Sequence, residues 1–262
     1  MKQRLLTILL TLLPLMASAD ESGTCGDNLT WTFEQSTGTL SILGTGNMTN
    51  YWSQEDTPWY SFQDKILKGF IDNGVTSIGK CAFSGCKSIV SLNIPNSVTD
   101  IGERAFQNCS GLISVTIGSS VTKIRHNAFN GCSSLISITI PNNVTSLGDY
   151  AFAYCSGLTS VTIGSGVTGI GQKAFYLCSN LTSVHISDIA AWCMISFYEQ
   201  SSNPLSYAHH LYLSNEEIKD LIIPNTATFI RPDAFNGCSG LNSVIIPNSV
   251  TDIGQYAFAN CI

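Results

Sequence analysis

The chain has 262 residues, 10 cysteines, 11% charged residues and a formal net charge of −6. Hydrophobic residues make up 44% of the chain, which excludes an intrinsically disordered protein. The acidic balance provides no basic surface for nucleic acid or anionic lipid, so we expect no nucleic-acid partner.

The first 19 residues have the pattern of a secretory signal peptide. Lys2 and Arg4 precede an apolar run over residues 5–16, and small residues at Ala17 and Ala19 occupy the positions that signal peptidase reads. Cleavage after Ala19 removes two basic residues and no acidic one, which changes the formal charge from −6 to −8. No apolar run is long enough to span a bilayer comfortably. We therefore expect the mature chain to be secreted or held at the cell surface, without a membrane-spanning segment.

Residues 20–74 are predicted to form an N-terminal capping segment. Thr30-Trp-Thr-Phe and Thr39-Leu-Ser-Ile alternate in polarity on either side of residues 34–38, which predicts a β-hairpin. The aromatic residues that follow are Trp52, Trp59, Tyr60 and Phe62. A repeat array must cover its first apolar cross-section, so we interpret these residues as packing against the first repeat. An exposed sugar-binding platform is the alternative.

From residue 75 the phrase V-T-x-I-G-x-x-A-F-x-x-C-x-x-L-x-S-V-x-I recurs with a step of 23 residues. A step of that size predicts a solenoid, because one unit cannot bury its apolar side chains alone. Five repeats occupy residues 75–188 and further repeats occupy residues 227–262. The last copy stops before its strand, from which we expect that a longer protein continues beyond it. The copies start at Val75, Val98, Val121, Val144, Val167, Ala227 and Val250.

The copy over residues 98–120 indicates how one coil is built. Residues 114–117 alternate between polar and apolar side chains, which is the period of a β-strand. So short a strand is stable only beside its equivalent in the next copy, roughly 4.8 Å away. Ala105, Phe106 and Cys109 recur on the outer side of the coil. We therefore predict an α/β-type solenoid dominated by short parallel strands.

The repeat unit resembles that of the BspA-like leucine-rich repeat proteins, a bacterial surface family. Val98-Thr-Asp-Ile-Gly-Glu-Arg-Ala-Phe-Gln-Asn-Cys-Ser-Gly-Leu-Ile-Ser-Val-Thr-Ile matches the family unit along its whole length. The resemblance covers about residues 75–262, and Ser22-Gly-Thr-Cys-Gly and Pro58-Trp-Tyr resemble the lead-in of such proteins. It implies a curved parallel inner sheet and an irregular outer face. It also implies adhesion to a protein ligand, from host matrix or another microbe.

The period breaks once, between Ile186 and Ile223, where the step is 37 residues. We interpret residues 189–226 as an irregular repeat that carries a 14-residue insertion. Within it, Leu211-Tyr-Leu and the following Ser214-Asn-Glu-Glu predict a strand and a turn. Insertions in repeat arrays commonly project as loops from the binding face.

The polar column on the inner face also changes at this break. It reads Asn93, Thr116, Thr139, Thr162, His185, Ile222 and Ile245. We predict a partner-binding patch at this point, composed of His185, Ile222, Ile245, Tyr198, Tyr207 and Tyr212. The alternative is that the inserted loop folds back and buries these groups as a local mini-core. A second candidate is an outer tyrosine cluster at Tyr150, Tyr154 and Tyr176, for which ordinary half-buried packing is the simpler interpretation.

Seven cysteines occupy one column of the repeat, three residues after each Phe. They are Cys86, Cys109, Cys132, Cys155, Cys178, Cys238 and Cys261. We expect mostly free, buried thiols that act as small apolar groups, because parallel side chains aimed the same way make poor disulfide partners. Cys25, Cys81 and Cys193 lie outside the column. A Cys25–Cys81 bridge from the cap to the first repeat is compatible with export.

No motif predicts catalysis, a cofactor or a metal site. The phrase from Gly169 to Ala174 imitates a dinucleotide-binding loop, but it recurs in the other copies and belongs to the repeat. The four histidines lack the spacing of metal ligands. We therefore expect a binding module rather than an enzyme. A structural spacer and a carbohydrate-binding module, with a glycan as partner, are the alternatives.

Overall fold

A computed structural model describes residues 20–261, and the predicted signal peptide lies outside them. Over these residues the chain winds into a solenoid with two stacks of parallel strands. Each coil contributes a long strand of three or four residues to one stack and a short strand, usually of two residues, to the other. We call these stacks the long-strand face and the short-strand face. The predicted solenoid of short parallel strands is confirmed.

The long-strand face is divided into three ladders of hydrogen-bonded strands. Neighbouring copies pair in register, so that Ser137 lies opposite Ser160 and Ile140 opposite Ile163. The first ladder comprises Glu21–Gly26, Leu29–Glu34, Thr39–Gly44, Lys68–Ile71, Ser91–Ile94 and Ser114–Ile117. The second comprises Ser137–Ile140, Ser160–Ile163, Ser183–Ile186, Leu211–Leu213 and Glu216–Glu217. The third comprises Asp220–Ile222 and Ser243–Ile245.

The V-T and I-G pairs of the repeat lie along the short-strand face, where they allow close contacts between successive coils. The Thr99 hydroxyl donates to the Thr76 carbonyl at 3.2 Å, and the Thr122 hydroxyl donates to Thr99 at 3.1 Å. A Cβ at Gly102 would lie 2.7 Å from the Ile78 carbonyl oxygen, so only glycine lets successive coils approach so closely. The strands are Gly46–Asn47, Val75–Ile78, Asp100–Ile101, Lys123–Ile124, Ser146–Leu147, Gly169–Ile170 and Ser196–Phe197 in one ladder, and Phe229–Ile230 and Asp252–Ile253 in another.

A column of phenylalanine rings runs through the core between the two faces. Ring centroids of successive coils are 5.1–5.5 Å apart, and the rings are nearly parallel. The column consists of Phe83, Phe106, Phe129, Phe152 and Phe175, all of which are buried. The burial depends on the neighbouring coil: Ile94 is 1% exposed, whereas Ile246, at the same repeat position in the last described coil, is 39% exposed. Packing between coils therefore holds the fold together.

The predicted hairpin of the capping segment is present, as antiparallel strands Leu29–Glu34 and Thr39–Gly44. A further antiparallel strand, Glu21–Gly26, was not predicted. Two 3-10 helices follow, at Gln54–Asp56 and Tyr60–Lys65. Trp59 is buried at the head of the phenylalanine column, 6.0 Å from Phe83, and its indole N–H donates to the Ala82 carbonyl at 2.9 Å. Packing against the first repeat therefore accounts for Trp59.

The break in the period is organised differently from a single insertion within one repeat. Leu211–Leu213 pairs in parallel with Ser183–Ile186, and Ile186 lies opposite Leu213, a step of 27 residues. Ser214 and Asn215 both have positive φ and turn the chain back into Glu216–Glu217, which pairs antiparallel with Leu211–Leu213. The added residues therefore form one enlarged coil followed by a hairpin.

The enlarged coil has a small core of its own. Helix Ile189–Cys193 is capped by the Asp188 carboxylate, which accepts from the Ala191 N–H at 3.0 Å. Trp192 is buried, and its indole N–H donates to the Ala234 carbonyl at 2.8 Å, as Trp59 does to Ala82. A 3-10 helix at Gln200–Ser202 and helix Leu205–Ala208 complete the coil.

All ten cysteines are free, and nine of them are buried. The Cys109 thiol donates to the Phe83 carbonyl at 3.0 Å, and the thiols of Cys132, Cys155, Cys178 and Cys261 make the same contact in later coils. Burial raises the pKa of Cys86 to about 12. The disulfide that the sequence allowed between Cys25 and Cys81 is not formed. The column therefore consists of packed, unreactive thiols.

Candidate functional site

The second and third ladders meet at a gap in the long-strand face, and the side chains around it form the candidate site. We call the group of His185, Tyr212, Ile222 and Ile245 the break patch. His185 lies opposite Tyr212 in the second ladder, whereas Ile222 lies opposite Ile245 in the third. The prediction that Ile222 follows His185 directly in one column was wrong. The reason is that strand Leu211–Leu213 of the enlarged coil pairs with Ser183–Ile186 and supplies Tyr212 as the next residue of the column.

The aromatic half of the break patch is a stacked pair. The His185 and Tyr212 rings have centroids 4.8 Å apart and an angle of 19° between their planes. Burial lowers the pKa of His185 below its usual value of 6.5, so the imidazole is neutral at pH 7. The pair therefore presents an uncharged, flat surface in a column that otherwise carries small polar side chains.

The aliphatic half of the break patch consists of Ile222 and Ile245. Each is 59% exposed, and the two lie directly opposite one another on neighbouring strands. Their exposed area is contiguous, unlike that of a single surface isoleucine. Removing such a surface from water on binding is favourable by roughly 25 cal/mol for each Å².

A groove of about 530 Å³ lies beside Ile222, where the hairpin and the third ladder adjoin. Ile189, Leu213 and Ile218 give it apolar walls. Insertion of an apolar side chain from a partner would fill such a groove.

The rim of the groove is acidic. Glu216, Glu217 and Asp220 line it, together with the single basic residue Lys219. The Glu217 carboxylate accepts from the His210 imidazole N–H at 2.6 Å, and the Asp220 carboxylate accepts from the Ser243 hydroxyl at 2.6 Å. These contacts hold both carboxylates in place at the surface. A partner with basic groups around an apolar anchor matches this rim.

Two residues of the predicted site lie apart from the break patch. Tyr198 is exposed, but it follows Ser196–Phe197 on the short-strand face. Tyr207 is half-buried and packs against the hydrophobic core from helix Leu205–Ala208. Trp192, Tyr207 and their buried neighbours thus form the local mini-core that was considered as the alternative. The break patch is on the surface.

The outer tyrosine cluster is also present. Tyr154 and Tyr176 meet edge to face at 5.7 Å, and the Lys173 ammonium lies 5.3 Å from the centre of the Tyr176 ring. Tyr154 stands at a repeat position with positive φ, where Gly or Asn occurs in other copies. Strain of this kind is found at functional surfaces, but it does not identify a partner.

Residues 20–261 contain no group of three or more His, Cys, Asp or Glu side chains that could hold a metal ion. In the same range, every helix is too short or too polar to cross a membrane. The surface chemistry of the described chain is therefore that of exposed rings, isoleucines, amides and carboxylates.

A solenoid of short coils, each with one long parallel strand and a recurrent buried leucine, isoleucine and phenylalanine, defines a leucine-rich repeat protein. The family model for the BspA type leucine rich repeat region matches residues 57–200 and 207–262, with six copies. The chain belongs to this family.

Several solved bacterial structures are similar to the chain. A leucine-rich repeat protein from Eubacterium ventriosum ATCC 27560 has a TM-score of 0.57 and 22% identity, over 93% of this chain and 70% of that one. This similarity shows the fold. A leucine-rich cell surface protein from Faecalibacterium prausnitzii A2-165 has a TM-score of 0.49 and 25% identity, over 94% and 75% of the two chains. A T. pallidum leucine-rich repeat protein has a TM-score of 0.49 and 23% identity, over 91% and 88%. No protein of curated function matches the chain.

Proposed function

We propose that this protein is an exported module of a bacterial cell surface that binds a protein ligand through the break patch. Host matrix proteins and the surfaces of other microbes are the ligands that we expect, and adhesion is the resulting function. The observation that carries the proposal is the contiguous exposure of Ile222 and Ile245 beside an apolar groove. Membership of the BspA type family supports it.

The chemistry of the patch favours a protein ligand over a small molecule. The stacked His185–Tyr212 pair and the two isoleucines offer apolar contact area, whereas Glu216, Glu217 and Asp220 surround the groove with negative charge. Interfaces commonly combine an apolar centre with a charged rim that guides association. We expect the ligand to place an aliphatic or aromatic side chain in the groove and basic side chains around it.

Capture of ligands by the wild-type protein and two double variants tests the proposal. The wild-type chain, Ile222→Ser/Ile245→Ser and Ile113→Ser/Ile136→Ser are each applied to immobilised extracellular-matrix proteins and to whole bacterial cells. Ile113 and Ile136 are exposed isoleucines of neighbouring coils away from the break, so the second double variant is a matched control. Because the first double variant removes two apolar side chains, each of which can contribute about as much binding free energy as a hot spot, we expect its affinity to fall at least tenfold. The affinity of the second should not change.

Two results would refute the proposal. Equal capture by all three proteins would exclude the break patch as the binding surface. Absence of capture by the wild-type chain on every surface would favour a structural spacer. A fall in capture as salt rises is the further expected result, because charge attraction at the rim is screened.

A further inference from the structure

A second concave surface lies on the short-strand face, where the capping segment meets the first repeats. It is a cleft of about 670 Å³, within the size range of small-ligand sites. Asn47, Ser77 and Asp100 line it from neighbouring short strands, with Asn47 opposite Ser77 and Ser77 opposite Asp100. Parallel pairing thus sets three polar side chains in a row.

Trp52 lines the cleft, and it differs from the other tryptophans. Trp31, Trp59 and Trp192 are buried, whereas Trp52 is 87% exposed. The Lys80 ammonium lies 5.9 Å from the centre of its ring. Packing against the first repeat explains Trp59 but leaves the surface of Trp52 open to a ligand.

Two asparagine side chains in the cleft are fixed by hydrogen bonds to their oxygens. Asn50 Oδ1 accepts from the Lys80 backbone N–H at 2.8 Å, and Asn47 Oδ1 accepts from the Thr76 hydroxyl at 2.8 Å. Each amide nitrogen therefore keeps its two N–H donors, and neither has a partner within residues 20–261. Oriented donors of this kind suit neutral oxygen acceptors.

The charged groups of the cleft neutralise one another. Lys80 lies 3.5 Å from the Glu103 carboxylate, and Arg125 contacts the Asp100 carboxylate at 2.6 Å. With both cations paired, the cleft has no surplus positive charge for a phosphate, a sulfate or an acidic sugar. The carboxylates keep acceptor capacity for hydroxyl donors, since each can accept about four hydrogen bonds.

We propose that this cleft binds a neutral saccharide. One face of a pyranose ring carries C–H bonds, whose positive edges are attracted to the negative π face of the Trp52 indole. Its hydroxyl groups accept from the Asn47 and Asn50 amides and donate to Asp100 and Glu103. The site is on the opposite strand stack from the break patch and is independent of the protein-binding proposal.

The experiment combines an array of neutral, sialylated and uronate-containing oligosaccharides with fluorescence quenching. Iodide quenches exposed indoles, so in this protein it reports on Trp52 rather than on the three buried tryptophans. The expected result is binding of neutral oligosaccharides, with protection of Trp52 from iodide when one of them is added. Trp52→Ala is expected to lose at least about tenfold in affinity, the size of a binding hot spot, and Trp52→Phe to lose less.

Two further variants control for folding and for the surface. Asn50→Asp keeps the acceptor for the Lys80 N–H but removes the amide donors, so it should weaken binding while thermal unfolding stays unchanged. Tyr60→Ala removes another exposed aromatic side chain of the capping segment that does not line the cleft, and it should bind as the wild type does.

Three outcomes would overturn the proposal. The first is that no oligosaccharide on the array binds the wild-type chain. The second is that Trp52→Ala and the wild type bind the same oligosaccharides with the same affinity. The third is that only acidic sugars bind, or that peptides compete for Trp52 protection where neutral sugars do not.

Discussion

The dependence of each coil on its neighbours can be measured with one substitution made at two equivalent positions. Phe129→Ala removes a fully buried ring whose centroid is 5.1 Å from that of Phe106 and 5.2 Å from that of Phe152. Phe258→Ala makes the same change in the last described coil, where the ring is half-buried and, among residues 20–261, stacks only on Phe235, at 5.2 Å. Phe129 therefore loses contacts on two sides, and Phe258 on one.

The expected magnitudes follow from burial. Truncating a buried phenylalanine costs about 3–5 kcal/mol of unfolding free energy, so this is the loss expected for Phe129→Ala. For Phe258→Ala we expect roughly half of that loss or less, because within residues 20–261 this ring stacks on one neighbouring ring rather than two.

Urea unfolding followed by circular dichroism gives the free-energy change of each variant. Hydrogen exchange should accompany it, because long repeat arrays can depart from two-state unfolding. Exchange should accelerate in the coils on both sides of residue 129, whereas in the Phe258 variant it should accelerate mainly in the coils of Phe235 and Phe258. Equal losses in the two variants would refute the reasoning that neighbouring coils supply the burial. A loss below about 1 kcal/mol for Phe129→Ala would refute it as well.

The remaining predictions concern single contacts. Leu177 has a φ of 58°, at a position where Asn108 and Asn260 occur in other copies, so Leu177→Asn should raise the unfolding free energy by up to about 1 kcal/mol in urea titration. Trp192→Phe removes the buried indole N–H that serves Ala234, and a fall of at least about 1 kcal/mol is expected in the same assay; no change would show that water replaces this bond. Burial raises the pKa of Cys86 from 9.0 to about 12, so the unfolded state loses the proton first and stability should fall as pH rises above 9. Cys86→Ala should reduce that fall by about 1.4 kcal/mol in total between pH 8 and pH 10, as measured by unfolding at pH 8, 9 and 10, and an unchanged pH dependence would contradict the shift.

The sequence alone determined the solenoid, because each coil contacts only the coils one period away. A step of 23 residues therefore names the neighbours of almost every residue: Phe106 beside Phe129, and Thr99 beside Thr76. Glycine in the I-G pair and free cysteine in the core follow from the same rule. The hairpin of the capping segment was predictable too, from its alternating polarity.

Only the tertiary structure decided the arrangement of residues whose neighbours in space cannot be read from the 23-residue period. Within residues 187–223 the distance along the sequence no longer predicts which residues are neighbours in space. The structure pairs His185 with Tyr212 rather than with Ile222, and the chain turns back at Ser214 and Asn215 immediately after that strand. In the capping segment, the sequence does not indicate whether Trp52 or Trp59 is the buried tryptophan, because the two are the same residue type and lie only seven residues apart. The structure buries Trp59 on Phe83 and leaves Trp52 exposed, because only one indole can complete the phenylalanine column.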